Sequence, residues 1–126
     1  MKLINSEKAP SAIGPYSHGA IINNTLYVSG QLPIDPNTMK FISEDITEQA
    51  KQCIENAKAI IEKAGATLND VARVGIFITN MADFVEINEV YSHYFSNHKP
   101  ARACVEVSKL PLSAQVEMEF TVDVSK

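Results

Sequence analysis

The clearest pattern along the chain is a single helical stripe of apolar residues in its middle third. Asp45 followed by Glu48 is typical of a capping box at a helix N-terminus, and Gly65 is a typical C-terminal stop. Between these signals, apolar side chains recur at spacings of three and four: Ile46, Ala50, Cys53, Ile54, Ala57, Ile60, Ile61 and Ala64. The pattern predicts an amphipathic helix over residues 46–64.

Segments of alternating or β-branched residues predict strands on both sides of this helix. Residues 20–22 and 26–28 flank an Asn-Asn pair, and asparagine tolerates the positive φ that a tight hairpin turn needs. Residues 71–79 are rich in β-branched and aromatic side chains, which is typical of a buried strand. Residues 116–124 alternate strictly, with Val, Met or Phe at even positions and Glu, Thr or Asp between them.

A second helix is predicted between the buried strand and Pro100. Either Asn80 or Asp83 can cap its N-terminus, and the proline ends the region. One side of this helix carries Phe84, Ile87, Asn88, Tyr91, Tyr94 and Phe95. Residues 8–19 contain two prolines and two glycines and predict a loop, and residues 32–43 are expected to be irregular.

The element order predicts an α+β fold. With an order of β-ββ-α-β-α-β-β, two helices can cover only one sheet face, so we expect a mixed sheet with both helices packed on one side. The length predicts a single domain over residues 1–126. The other sheet face and the strand edges then need a cover, which predicts a homo-oligomer.

Composition and charge narrow the class of protein. Hydrophobic residues make up 45% of the chain and charged residues 21%, an ordinary globular balance. The net charge is -4 and the eleven basic residues are scattered, so we expect no nucleic-acid partner. No segment resembles a signal peptide or a membrane span, which predicts a cytoplasmic protein without a membrane partner. Two cysteines without a CxxC pair predict neither a disulfide framework nor a zinc site.

Arg102 is the leading candidate for a functional residue. It lies near the start of the strand-like segment Pro100-Ala-Arg-Ala-Cys-Val-Glu-Val107, in which Arg102, Cys104 and Glu106 share one parity. A rigidly held guanidinium is a bidentate receptor for a carboxylate or a phosphate. The alternative is a structural arginine paired with one of the fifteen acidic residues.

Three further candidates each have a plain structural alternative. Gly30, in Ser29-Gly30-Gln31, either marks a glycine bulge or a strand end, or it lets a ligand approach the backbone. Glu117 either faces solvent or lies near the guanidinium, on a neighbouring strand or subunit, where it could act as a general base. Tyr16 either anchors its loop or caps a pocket.

Other reactive side chains offer weaker patterns. Cys104 lacks the helix N-terminus or paired histidine that lowers a thiol pKa, so packing or backbone contact is favoured over a nucleophilic role. His93 and His98 fall on different sides of a helix, which is wrong for one metal site. His18 follows Ser17, but no third member of a catalytic triad is apparent.

Four segments together resemble a known family, the RidA (YjgF) family of reactive-intermediate deaminases. The segments are Ala12-Ile-Gly-Pro-Tyr16, Val28-Ser-Gly-Gln31, Asp83-Phe with Asn88 and Tyr91, and Pro100–Val107 followed by Leu110-Pro and Val116-Glu-Met-Glu119. The resemblance implies a chorismate-mutase-like α+β fold that assembles as a trimer with clefts at the subunit interfaces. It implies hydrolysis of 2-iminobutanoate and 2-iminopropanoate to 2-keto acids and ammonia, without a cofactor.

The resemblance also implies roles for individual residues. Arg102 would grip the substrate carboxylate, Glu117 would position the attacking water, and Tyr16 would close the site. The other implied substrate-binding or supporting residues are Ser29, Gly30, Asn88 and Cys104. One departure is His18, where many members carry glutamine.

Two other classes of function stay open. A trimer that binds 2-keto acids or similar small carboxylates as a sensor would use Arg102 without needing Glu117. Some members of the family are described as ribonucleases, translation inhibitors or chaperones. An acidic chain without a basic patch argues against a ribonuclease.

Overall fold

The computed structural model describes residues 1–126 as one six-stranded sheet with two α-helices. The strands are β1 (Lys2–Ile4), β2 (Gly19–Ile22), β3 (Thr25–Gln31), β4 (Val71–Ile78), β5 (Ala101–Glu106) and β6 (Val116–Asp123). The helices are α1 (Ile46–Lys63) and α2 (Phe84–Tyr94), and neither is long and apolar enough to cross a membrane. The predicted α+β class and order of elements are confirmed.

The sheet is mixed, with the spatial order β1-β2-β3-β6-β4-β5. Every pair of neighbouring strands is antiparallel except β4 and β5, which run parallel and are joined through α2. The last strand of the chain, β6, therefore lies inside the sheet between β3 and β4, while β5 forms an edge. Because β6 lies inside the sheet, its alternating side chains contribute to both sheet faces.

The alternation of β6 separates a buried face from an uncovered one. Its even-numbered residues from Val116 to Val122 are buried beneath α1, and Cys53 on that helix lies 3.7 Å from the Val116 carbonyl oxygen. Its odd-numbered residues, beginning with Glu117, point to the opposite side. We call that side the open face. Its exposed apolar residues are Leu3, Ile22, Tyr27 and Val105.

The predicted start and stop signals of α1 are largely confirmed. The Asp45 side chain accepts a hydrogen bond from the Glu48 backbone N–H, and Gly65 adopts a φ of +85°, which favours glycine. The reciprocal half of a capping box is absent, because the Asp45 N–H donates to Ser43 Oγ instead. The two residues predicted to cap α2 have different roles. The Asn80 side chain caps a short 3₁₀ turn before the helix, and Asp83 occupies the N-cap position of α2 without a side-chain hydrogen bond.

A buried asparagine on α1 attaches the irregular segment that follows β3. Asn56 is 1% exposed, and its Nδ2 donates to the carbonyl oxygens of Leu32 at 3.1 Å and Ile34 at 2.9 Å. Its Oδ1 accepts from Gln52 Nε2 at 2.8 Å. Because every polar atom of this amide is used, the backbone of residues 32–34 has a defined position against the helix.

We expect Asn56→Asp to destabilise the protein strongly. A carboxylate cannot donate to either carbonyl, and leaving buried polar groups unsatisfied costs about 1–3 kcal/mol each. The free energy of urea unfolding at neutral pH, followed by circular dichroism, should fall by about 3 kcal/mol. The exposed Asn97→Asp introduces the same charge and should change it by less than about 0.5 kcal/mol. Equal effects of the two variants would contradict this prediction.

Candidate functional site

The predicted site residues lie in two groups on opposite faces of the sheet. The first group surrounds a cavity of about 440 Å³, which we call the Glu117 pocket. Its lining residues are Ile13, Tyr16, Ser29, Gly30, Leu32, Pro111, Leu112 and Glu117. The second group surrounds Arg102 on the edge strand β5 and faces α2.

A bulge in β3 creates the floor of the Glu117 pocket. The register with β6 shifts between Val28 and Gln31, which leaves Ser29 and Gly30 outside the regular ladder. A Cβ at Gly30 would lie only 2.5 Å from Glu117 Oε2, so a larger residue would displace the carboxylate. Gly30 thus lies at a β-bulge, which was the structural alternative for this position, and the approach of a ligand to its backbone stays a prediction.

Glu117 is a half-buried carboxylate without a partner. It forms no hydrogen bond and no ion pair within the chain. Burial raises the pKa of its carboxyl above the ordinary value, and the neighbouring Glu119 carboxylate raises the pKa further. Such a group is a better proton acceptor than an exposed glutamate and is suited to general-base work.

A loop over residues 10–18 forms one wall of the pocket. Tyr16 is 48% exposed, and its phenol oxygen accepts a hydrogen bond from the Ile13 N–H at 3.3 Å. Ser29 attaches the end of the loop, because its hydroxyl donates to the Ser17 carbonyl at 2.7 Å. The predicted loop is observed. Tyr16 both bonds to its own loop and lines the pocket, and its role in closing the site stays a prediction.

The Arg102 group is organised by uncharged partners. Arg102 Nη1 donates to Asn88 Oδ1 at 2.7 Å, and the guanidinium carbon lies 4.8 Å from the Tyr91 ring centroid and 5.6 Å from that of Phe84. No acidic side chain forms an ion pair with Arg102. The guanidinium is thus held in place by α2 while its charge and most of its donors remain available.

The free edge of β5 also exposes backbone groups. In a parallel pair, alternate residues of a strand bond to the neighbour, and here the Val107 N–H donates to the Ile78 carbonyl at 2.8 Å. The alternation directs the N–H and C=O of Arg102 and Cys104 away from β4. Burial raises the pKa of the Cys104 thiol, with Arg102 acting in the opposite direction, so the group is not an activated nucleophile.

The structure does not bring Arg102 and Glu117 together within one chain. Arg102 is registered with Val74, whose side chain is buried on the helix side, whereas Glu117 is registered with Phe77 on the open face. Strand β4 separates β5 from β6. A single chain therefore carries a cationic half-site and an acidic half-site.

The apolar walls of the Glu117 pocket were missed by sequence reasoning. Ile13, Leu32 and Leu112 come from three separate loops, and Leu112 has a φ of +58°, unusual for a branched side chain. The sequence feature that could have indicated these walls is the presence of apolar residues inside segments predicted to be loops. No cluster of three or more His, Cys, Asp or Glu residues suited to a metal ion is present.

Comparison with known proteins identifies the family. The model of the family described as Endoribonuclease L-PSP matches residues 6–124. The chain therefore belongs to this family, which is the RidA (YjgF) family that the motifs resemble.

Relatives and solved structures agree with this assignment. The chain is 52% identical to a RutC family protein of Pyrococcus abyssi, covering 94% of this chain and 93% of the relative. It is 41% identical to 2-iminobutanoate/2-iminopropanoate deaminase of Salmonella typhimurium, covering 94% of both. Escherichia coli TdcF with bound serine superposes with a TM-score of 0.94 at 38% identity, covering 99% of this chain and 100% of TdcF. RidA from an Antarctic Psychrobacter superposes with a TM-score of 0.95 at 43% identity, covering 98% of this chain and 100% of that protein.

We expect the Glu117 carboxyl to titrate above the exposed glutamates when followed by carbon NMR. A raised folded-state pKa favours the protonated form, so the contribution of Glu117 to stability is present below its unfolded pKa and declines as pH rises through the folded pKa. The unfolding free energy of Glu117→Gln relative to wild type should therefore rise as the pH increases from about pH 4 through the range in which the folded protein loses the Glu117 proton. Exposed Glu89→Gln is the control. A relative stability that falls with pH would contradict the assignment.

Proposed function

We propose that this protein hydrolyses reactive 2-imino acids, such as 2-iminobutanoate and 2-iminopropanoate, to 2-keto acids and ammonia. The observation that carries the proposal is the Arg102 guanidinium, which is fixed by an amide and two aromatic rings and has no counter-charge. A cation arranged in this way, beside the free backbone of a strand edge, is a receptor for a small carboxylate. The relative named as an imine deaminase, at 41% identity, supports the same reaction.

The Glu117 pocket supplies the second half of the chemistry. Glu117 accepts a proton from a water molecule as the water oxygen bonds to the imine carbon. That proton then passes to the nitrogen, which gives a carbinolamine. As the C–N bond breaks, Glu117 takes the proton of the new hydroxyl group and passes it to the leaving nitrogen. The carbonyl of the 2-keto acid forms, and ammonia leaves with both protons of the water. Since the imine carbon is already electrophilic, orientation and one general base, typically worth roughly 10²–10⁴-fold, suffice without a cofactor.

The complete site is proposed to form between subunits of a homotrimer. Because Arg102 and Glu117 face opposite sides of one sheet, a second copy has to supply one of the two groups. The open face exposes a line of apolar side chains that such a copy would cover. A heterologous contact that closes after three subunits would make three equivalent sites.

A second candidate is a sensor that binds small carboxylates without turnover. The TdcF structure with bound serine favours it, because serine is such a ligand in that protein. The two functions differ in their need for Glu117. A Glu117→Gln protein that binds 2-oxobutanoate normally but has lost turnover supports the enzyme.

The deaminase is tested by imine trapping. A threonine dehydratase produces 2-iminobutanoate, and semicarbazide competes with this protein for the imine by converting it to a semicarbazone. We expect wild-type protein to lower the yield of semicarbazone. We expect Arg102→Lys to lose at least about 10²-fold in this activity, because a point charge does not reproduce the fork of the guanidinium. Arg73→Lys, at the only other arginine, is the matched control. Turnover by Arg102→Lys at the wild-type rate would refute the clamp, and no effect of wild type would refute the deaminase.

The position of the site between subunits is tested by mixing two inactive variants. After subunit exchange, Arg102→Ala and Glu117→Gln should complement each other, because a site that takes its guanidinium from one variant and its carboxylate from the other is intact. Random mixing in equal amounts should restore about one quarter of the wild-type activity.

Each variant mixed with itself is the control, and native mass spectrometry checks that heterotrimers form. Heterotrimers without recovered activity would contradict a shared site. A protein that stays monomeric at micromolar concentration would contradict the trimer.

A further inference from the structure

The ring of His18 is buried and uses both nitrogens. The Ser6 N–H donates to Nδ1 at 3.0 Å, and Nε2 lies 2.7 Å from the Pro10 carbonyl oxygen. Because the carbonyl can only accept and the Ser6 amide can only donate, the ring is neutral with its proton on Nε2. His18 is 4% exposed, so these bonds are shielded from water.

The bond to Pro10 closes the loop over residues 10–18, and the bond from Ser6 attaches the ring to the segment before the loop. The loop begins at Pro10 and ends at His18, and the ring joins its two ends, as in a compact Ω-loop. Between the ends stand Ile13 and Tyr16, which both line the Glu117 pocket. The ring therefore fixes the position of Pro10, the first residue of the loop that forms this wall of the pocket.

The two ends of the loop are attached in different ways. The C-terminal end is fixed to the β3 bulge by backbone and hydroxyl bonds: the Ser29 N–H donates to the His18 carbonyl at 2.8 Å, and the Ser29 hydroxyl donates to the Ser17 carbonyl. The start of the loop has no such backbone attachment. The bond from the His18 ring to Pro10 is the only hydrogen bond that links residues 10–13 to residues beyond Tyr16.

We propose that His18 is a positioning residue of the candidate site, whose neutral ring holds the loop so that Ile13 and Tyr16 wall the Glu117 pocket. The ring does not contact the substrate and acts through the loop. Its effect on the proposed reaction is consequently expected in substrate binding rather than in the chemical step. That kinetic consequence rests on the proposed function, whereas the effect on the loop does not.

The test compares His18→Leu with His18→Gln. Leucine keeps an apolar volume but removes both ring bonds, while glutamine retains one acceptor and one donor. His98→Leu is the matched control, because the His98 ring also bonds a backbone carbonyl, that of Val71 at 2.6 Å, and does not line the pocket. Circular dichroism checks that each variant is folded. If His18→Leu does not fold, His18→Asn, which is too short to reach Pro10, replaces it.

Hydrogen exchange measured by mass spectrometry reports on the loop without using activity. In His18→Leu, amides between Ser6 and Tyr16 should exchange at least about tenfold faster, whereas those of β4 and β6 should not change. KM for 2-iminobutanoate should rise about tenfold with kcat changed less than about twofold. His18→Gln should recover both properties to within about threefold of wild type.

Either of two results would overturn the proposal. Unchanged exchange in His18→Leu would show that the ring does not hold the loop. Faster exchange with an unchanged KM would show that the loop position does not matter to the site. If wild-type protein does not hydrolyse the imine at all, the proposed function fails, and the exchange result alone decides whether His18 positions the loop.

Discussion

The alternation of β6 is the constraint on which the rest of this structure depends. Its even-numbered side chains fill the space beneath α1, and its position between β3 and β4 joins the two halves of the sheet. Because side chains alternate with a period of two, a slip of one residue would turn Glu117 into the core and Met118 to the open face. Because the four even-numbered apolar residues are buried on the helix side, the Glu117 carboxylate has to lie on the open face.

The two half-sites follow from the same sheet but are stabilised differently. The acidic half depends on the absence of a side chain, since Gly30 makes room for Glu117 and leaves the carboxylate unpaired. The cationic half depends on contact with α2, where an amide and two aromatic rings fix Arg102 without neutralising it. Both arrangements leave a charge free for a ligand at some cost in stability. Their separation by β4 makes assembly part of the chemistry that we propose.

Local patterns explain why much of the fold was predictable. The stripe of α1, the asparagine turn before β3 and the alternation of β6 each arise from interactions within a few residues, so the sequence displays them directly. The parity of Arg102 with Cys104 was predictable for the same reason. The cap of α2 was not resolved, because both Asn80 and Asp83 have suitable side chains and only the path of the chain selects between them.

The sequence by itself determined the secondary structure, the class of fold and the side chains with the right chemistry, because helix and strand periods are local properties. Only the tertiary structure decided that Arg102 and Glu117 face opposite sides, that Gly30 touches Glu117, and that the His18 ring closes the pocket loop. These facts depend on hydrogen bonds and registers between segments far apart in the chain. The periodicity of a single segment does not indicate which distant segment it pairs with, or in which register.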